Sequence, residues 1–356
     1  MERFKKRFIR FFFFLSAKIF FTFIKSFRSS FFAKKKVVHT LCDEFFCKFE
    51  WYCHCGDIGD SFYFMDIVIT YVDGNDPVWK GDYERYTNVP VMQKRFRDWG
   101  TLKYLLRGVE VNMPFIRNVF LVVSHKTQVP EWVNQENLKV VLHEDIIPED
   151  YLPTFNSNTI ETHLHRIEGL AEEYLYFNDD LFPVAPCEPE DFFRDGKGVL
   201  GFTRHYFAFG MYKKICRNSD RLARKVLGIR STISFLRPQH ICTAMIKSEC
   251  ETLYQAARED ILSSLTRTRT ERNVTQYLFL VYQYLKGRMI CERISSKHCS
   301  VAFATPEKVS SYILAPEKKL LCINDVRLSE TKYDELRNVI HQSFEKVFPC
   351  KSRFEK

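Results

Sequence analysis

Apolar positions along the chain follow two rhythms. Continuous, largely β-branched or aromatic runs at 66–72 (DIVITYV), 119–123, 138–142 and 174–177 predict strands buried on both faces. Between them, Leu102, Leu105, Leu106 and Val109 repeat at helical spacing and predict a helix over 98–111. A second helix is expected over 158–172. Strands that alternate with helices predict parallel crossovers and hence an α/β fold, a Rossmann-like sheet with helices on both faces. Beyond residue 185 the pattern gives helices over 220–229, 249–265 and 330–347. An apolar segment at 274–285 fits a helix or a strand, and a short strand is expected at 320–323. The C-terminal part is therefore expected to be rich in helix.

Charge divides the chain differently. The 356 residues carry 53 Lys+Arg against 44 Asp+Glu, a formal net charge of +9, and 34 Phe. Residues 1–36 hold eleven of the basic residues, twelve of the Phe and one acid, Glu2. The remaining body is nearly neutral, so a nucleic-acid-binding function loses its main support. At about 100° per residue, Arg3, Arg7, Arg10, Lys18, Lys25 and Arg28 fall in a stripe roughly 80° wide, surrounded by Phe, Ile and Leu. That pattern predicts a helix lying in an anionic membrane surface, peripheral on the cytoplasmic face. No run reaches the roughly 18–20 apolar residues of a spanning helix. Residues 37–64 form a connector in which Cys42, Cys47, Cys53 and Cys55 cluster with His39 and His54. Their spacing fits no standard zinc finger, and scattered reduced thiols are the expectation.

The ends of the predicted strands are acidic. The first runs into Asp73-Gly74-Asn75-Asp76-Pro77, a turn by composition, and the fourth into Asn178-Asp179-Asp180. The late strand ends in Asn324-Asp325. Ligands of open α/β sheets bind just beyond strand C-termini, so these loops are candidates for a divalent metal and the phosphates it bridges.

These blocks carry a resemblance. Asp66-Ile-Val-Ile-Thr-Tyr-Val-Asp-Gly-Asn-Asp76 resembles the first conserved block of the Stealth family, sugar-1-phosphate transferases of capsule synthesis related to the eukaryotic N-acetylglucosamine-1-phosphotransferase. The second block resembles residues 95–182, from Arg95-Phe-Arg-Asp through Leu152-Pro-Thr-Phe-Asn-Ser157 and Ile160-Glu-Thr-His-Leu-His165 to Tyr176-Phe-Asn-Asp-Asp-Leu-Phe182. In the third block, Gln239-His240-Ile-Cys242 stands for the family's H-x-P-like segment without the Pro. Arg269 then precedes Asn273 where the family has an acid. The fourth matches Cys322-Ile-Asn-Asp325, with Val326 where the family has further acid or amide.

The resemblance spans residues 65–330, taken as the catalytic domain, with an amphipathic helix over 331–356. It implies transfer of a hexose-1-phosphate, of the N-acetylhexosamine type, from a UDP-sugar to a glycan hydroxyl. The alternative is a conventional nucleotide-sugar glycosyltransferase. Catalytic work is expected of His240, whose ordinary pKa lies near working pH, with Asp73 and Arg269. Donor and phosphate binding is expected of Asn75, Asp76, Arg95 and Arg107. Substrate or acceptor contacts are expected of Asn156, Ser157, Glu161 and His165, and Mg²⁺ or Mn²⁺ ligation of Asp179, Asp180 and Asp325. His165 and Glu161 form an i, i+4 pair if the segment is helical.

Overall fold

The computed structural model describes residues 65–88, 90, 96–324 and 328–356. The interfacial-helix segment, the Cys/His connector, Arg95 and Asp325 lie outside the described residues.

Four parallel strands form the heart of the fold: β1 (Met65–Thr70), β2 (Ile116–Val123), β3 (Leu138–Leu142) and β4 (Glu173–Asn178). Thr243–Ile246 adds an antiparallel edge, and the order is Thr243–Ile246, β4, β1, β2, β3. The run that read as doubly buried is so: Ile67, Val68 and Ile69 are fully buried. Each contributes about 1.5–3 kcal/mol of burial. Asp66 is buried at the start of β1, yet it accepts from Arg117 Nη2 (2.7 Å), Ala171 N (2.8 Å) and Asn118 N (3.1 Å). A charge so fully bonded stitches the bottoms of three chain segments together.

Helix α1 (Pro77–Thr87) and helix α2 (Leu102–Asn112) follow β1. Asp76 is the N-cap of α1: its Oδ1 accepts from Trp79 N at 2.7 Å, and Pro77 takes the first helical position. At the preceding turn Gly74 is required by contact, not by φ. Its N–H donates to Phe96 O at 2.9 Å, and a Cβ there would lie 2.4 Å from that oxygen.

Four elements differ from expectation. The helix expected over 158–172 is one short helix, Ser157–Glu161, followed by a 3-10 turn at Leu164–Arg166. The helix expected over 220–229 spans Gly210–Val226, and Pro306–Leu314 is an unanticipated helix with Thr305 as its N-cap. The segment at 274–285 resolves to helix, Tyr277–Leu285, and 249–265 to two helices, Lys247–Ala256 and Arg258–Ser264. The C-terminal helix spans Glu330–Val347 as read, and among the described residues no helix is long and apolar enough to cross a membrane.

Candidate active site

Successive crossovers carry the chain from β1 to β2 to β3 on one side, and then back to β4 on the other. The strand order therefore reverses between β1 and β4, the position where open sheets bind ligands. A cleft of about 580 Å³ lies there, lined by Thr70 and Tyr71 after β1 and Asn178, Asp179 and Asp180 after β4. Two of these lining residues share a partner: Tyr176 Oη donates to Asn178 Oδ1 (2.6 Å) and meets Thr70 Oγ1 at 3.0 Å. One wall is aromatic, because Trp79 of α1 packs on Phe96 and Phe155 at centroid distances of 4.8 and 5.5 Å.

The acids are crowded. Burial, then Asp180, then Asp98 push the Asp179 carboxyl up to about 8. Asp98 is itself raised by burial and by Asp73, and it shares a hydrogen bond with the Tyr71 hydroxyl. A carboxylate held that far from its ordinary range is a group that a divalent cation would relieve. Hard oxygen donors of this kind suit Mg²⁺ or Mn²⁺. The fit rests on Asp179 and Asp180, with the Asn324 amide in the same lining.

Across the cleft are the cationic and proton-handling groups. Arg269 donates through Nη2 to Ser157 Oγ at 2.5 Å. The same arginine lies close enough to Glu161 to favour its charge, and Glu161 also accepts from the Thr275 hydroxyl. Burial dominates at Glu161 and leaves its pKa raised. His240 follows Gln239, whose side chain is bolted to Ser296 Oγ (2.8 Å) and to Ile294 O and N (3.1 Å each). That anchor aims the imidazole, whose Nδ1 lies 3.4 Å from the Tyr277 hydroxyl. Burial first, then His298, Arg237 and Arg269, hold His240 below its ordinary pKa, so it is neutral at pH 7. A neutral imidazole can accept a proton.

The cleft thus brings together His240, Arg269, Ser157, Glu161, Asp179 and Asp180 of the expected residues. Others stand elsewhere. Asp73 lines a smaller adjoining hollow with Asp98 and Tyr71, where its carboxylate accepts from Asn75 N at 2.8 Å. Asn75 is exposed in the turn, and Asp76 is committed to its cap. Neither lines the cleft. Arg107, expected to bind phosphate, does not line the cleft: it donates to Glu355 (2.8 Å), Glu345 (3.1 Å) and Phe348 O (2.9 Å). Asn156 is buried and does not line the cleft. Its Oδ1 accepts from Asn158 N, and its Nδ2 donates to Thr266 O and Asn273 Oδ1, each at 3.1 Å. The expected Glu161–His165 pair does not form, since the helix ends at Glu161. His165 instead is buried near Tyr254 and Phe279, 3.3 Å from Glu251 Oε2, with burial and His163 lowering its pKa to about 3.

Asn273 is the residue that departs from the family's acid. Its Nδ2 donates to Ser264 O (2.6 Å) and Thr266 Oγ1 (2.9 Å), and its Oδ1 accepts from Thr270 N (2.7 Å). It therefore folds the loop that presents Arg269. Asp98, Tyr71 and Tyr277 were not anticipated. Asp98 lies in the Arg95-Phe-Arg-Asp block and Tyr71 in the Asp66–Asp76 block, both legible signals, whereas Tyr277 joins the site only through long-range packing.

Paired acids, an arginine and a neutral histidine at the switch point of an open α/β sheet define an enzyme site suited to phosphate esters. Comparison with known proteins gives it a family. Stealth protein CR2, conserved region 2, matches residues 95–200. The chain is 30% identical over 333 residues to the capsular polysaccharide phosphotransferase WcwK of Streptococcus pneumoniae, which covers 82% of this chain and 99% of that protein. It is 27% identical over 334 residues to the receptor polysaccharide phosphotransferase WefC of Streptococcus gordonii (82% and 98%). It is 29% identical over 330 residues to the exopolysaccharide phosphotransferase cps2G of Lactiplantibacillus plantarum (82% and 96%). The chain belongs to the Stealth family of polysaccharide phosphotransferases, and it is a transferase.

Proposed function

We propose that this transferase moves a hexose-1-phosphate, of the N-acetylhexosamine type, from a UDP-sugar to a glycan hydroxyl, building a capsular or cell-surface polysaccharide with phosphodiester links. The observation that carries the reading is the juxtaposition of Asp179 and Asp180 with Arg269 and His240 in one cleft at the switch point. Phosphoryl transfer needs little covalent help from protein and much charge neutralisation and positioning.

Asp179 and Asp180, with Asn324, would hold Mg²⁺ or Mn²⁺, which when bound neutralises the donor diphosphate. Arg269 binds phosphate oxygens by its guanidinium fork, and Ser157 fixes the direction of that fork. His240 takes the proton of the acceptor hydroxyl as its oxygen bonds to phosphorus. The bond between that phosphorus and the UMP oxygen breaks, and UMP leaves with the electron pair. The aromatic wall of Trp79, Phe96 and Phe155 supplies apolar surface for the uracil or the sugar ring. Residues 1–36 hold this body at an anionic membrane surface on the cytoplasmic side.

The test is a donor screen: UDP-hexosamines with purified full-length protein and Mg²⁺, reading UMP. The reading expects UMP release with at least one UDP-hexosamine, abolished by EDTA and reduced at least about a hundredfold in His240→Ala. Turnover that persists unchanged in both would overturn it.

A further inference from the structure

Cys322 is a buried thiol for which the transfer reaction above has no role. It lies on the strand Leu320–Asn324, and the neighbouring parallel strand Ser296–Ser300 sets His298 directly opposite it. The Cys322 thiol donates to Asp180 Oδ2 at a sulfur–oxygen distance of 3.6 Å. His240 completes a group: one ligand atom each from Asp180, His240 and Cys322 lies within 4.8 Å of the others. Among the described residues this is the one cluster of three His, Cys, Asp or Glu so arranged.

The donor set is informative. Magnesium takes oxygen ligands, whereas a thiolate, an imidazole and a carboxylate are the ligands of zinc, at about 2.0–2.3 Å. Ligand atoms around a tetrahedral zinc stand roughly 3.3–3.8 Å apart, so side-chain rotations of about an ångström close the group. The frame is firm. Ile323 N donates to Asp180 O at 2.9 Å, and Gln239 pins the loop that carries His240. Asp98 and Asp179 favour a cation nearby, while Arg237 and Arg269 oppose one.

We infer that Asp180, His240 and Cys322 form a binding site for a thiophilic divalent cation such as zinc, with a fourth position open to water or a phosphate oxygen. On binding, the cation displaces the thiol proton to solvent and takes the imidazole lone pair. Zinc at this site therefore blocks transfer, because it occupies Asp180 and the proton acceptor together. That inhibitory consequence rests on the function proposed above, and the binding does not.

The test uses Co²⁺ as a spectroscopic probe on the full chain, with Cys42, Cys47, Cys53 and Cys55 replaced by serine so that their cluster gives no signal. The expected result is a near-ultraviolet thiolate-to-cobalt band that Zn²⁺ bleaches and Mg²⁺ leaves in place. Cys322→Ser removes the band, and His240→Gln, with its melting transition intact, weakens cobalt binding at least about tenfold. No band, or a band unchanged in Cys322→Ser, overturns the site. A band without zinc inhibition of UMP release would leave the site standing and overturn the roles given to His240 and Asp180 in transfer instead.

Discussion

At the scale of single residues, burial decides the chemistry. His143, His163 and His165 are all buried, and desolvation lowers them to about 4, 4 and 3. A histidine whose folded pKa lies below its unfolded value of about 6.5 adds stability that is complete above pH 6.5. That stability is lost as pH falls toward the folded pKa. The protein should lose melting temperature steeply between pH 6.5 and 4.5, and His143→Gln should remove about 2–3 kcal/mol of that dependence. A parallel slope in the variant, measured by thermal melts across pH, would contradict this. Asn273 makes a second case. Asn273→Asp restores the family's acid but loses the donor to Ser264 O and Thr266 Oγ1. It should destabilise by about 1–3 kcal/mol and lower turnover through the Arg269 loop. A variant as stable and active as the parent would show that the loop is held otherwise.

At the scale of elements, the strands were legible and several helices were not. Doubly buried parallel strands announce themselves as continuous apolar runs, and the expected 138–142 coincides with β3. The segment after Ser157 misled because Ile160, Leu164 and Ile167 keep helical spacing while Glu161, His163 and His165 all turn inward. A helix cannot bury its whole circumference without apolar side chains to match, and the chain breaks into two short turns. The start of Gly210–Val226 was hidden by its basic residues, although Ile215, Cys216, Ser219, Leu222 and Ala223 share one buried face. The Thr305-Pro306 pair carries a legible cap signal, with Thr305 as N-cap and Pro306 at the first helical position. Arg107 looked like a phosphate ligand because a sequence shows charge and not direction. It is in fact the staple between α2 and the C-terminal segment. Arg107→Ala leaves Glu355 buried without its partner and should cost about 3–5 kcal/mol, with kcat of the folded fraction unchanged. A variant that melts normally but no longer turns over would return Arg107 to the site.

At the scale of the molecule, the basic balance belongs to residues 1–36 and the chemistry to the body. Acids at strand ends were legible because parallel strands deliver their C-termini to one edge. Tyr277, which meets His240 Nδ1 at 3.4 Å, became a site residue only through packing that no local pattern encodes. Deletion of residues 1–36 should release the protein from anionic vesicles in a sedimentation assay and spare transfer to a soluble acceptor. A truncated protein still in the pellet would contradict the anchoring role. In the proposed reaction the acceptor attacks phosphorus and not the anomeric carbon of the donor sugar. Phosphorus-31 NMR of the reaction with the UDP-hexosamine that the screen selects tests it directly. The expected result is a new phosphodiester resonance in the glycan with stoichiometric UMP. Release of UDP with no phosphorus in the product would contradict it.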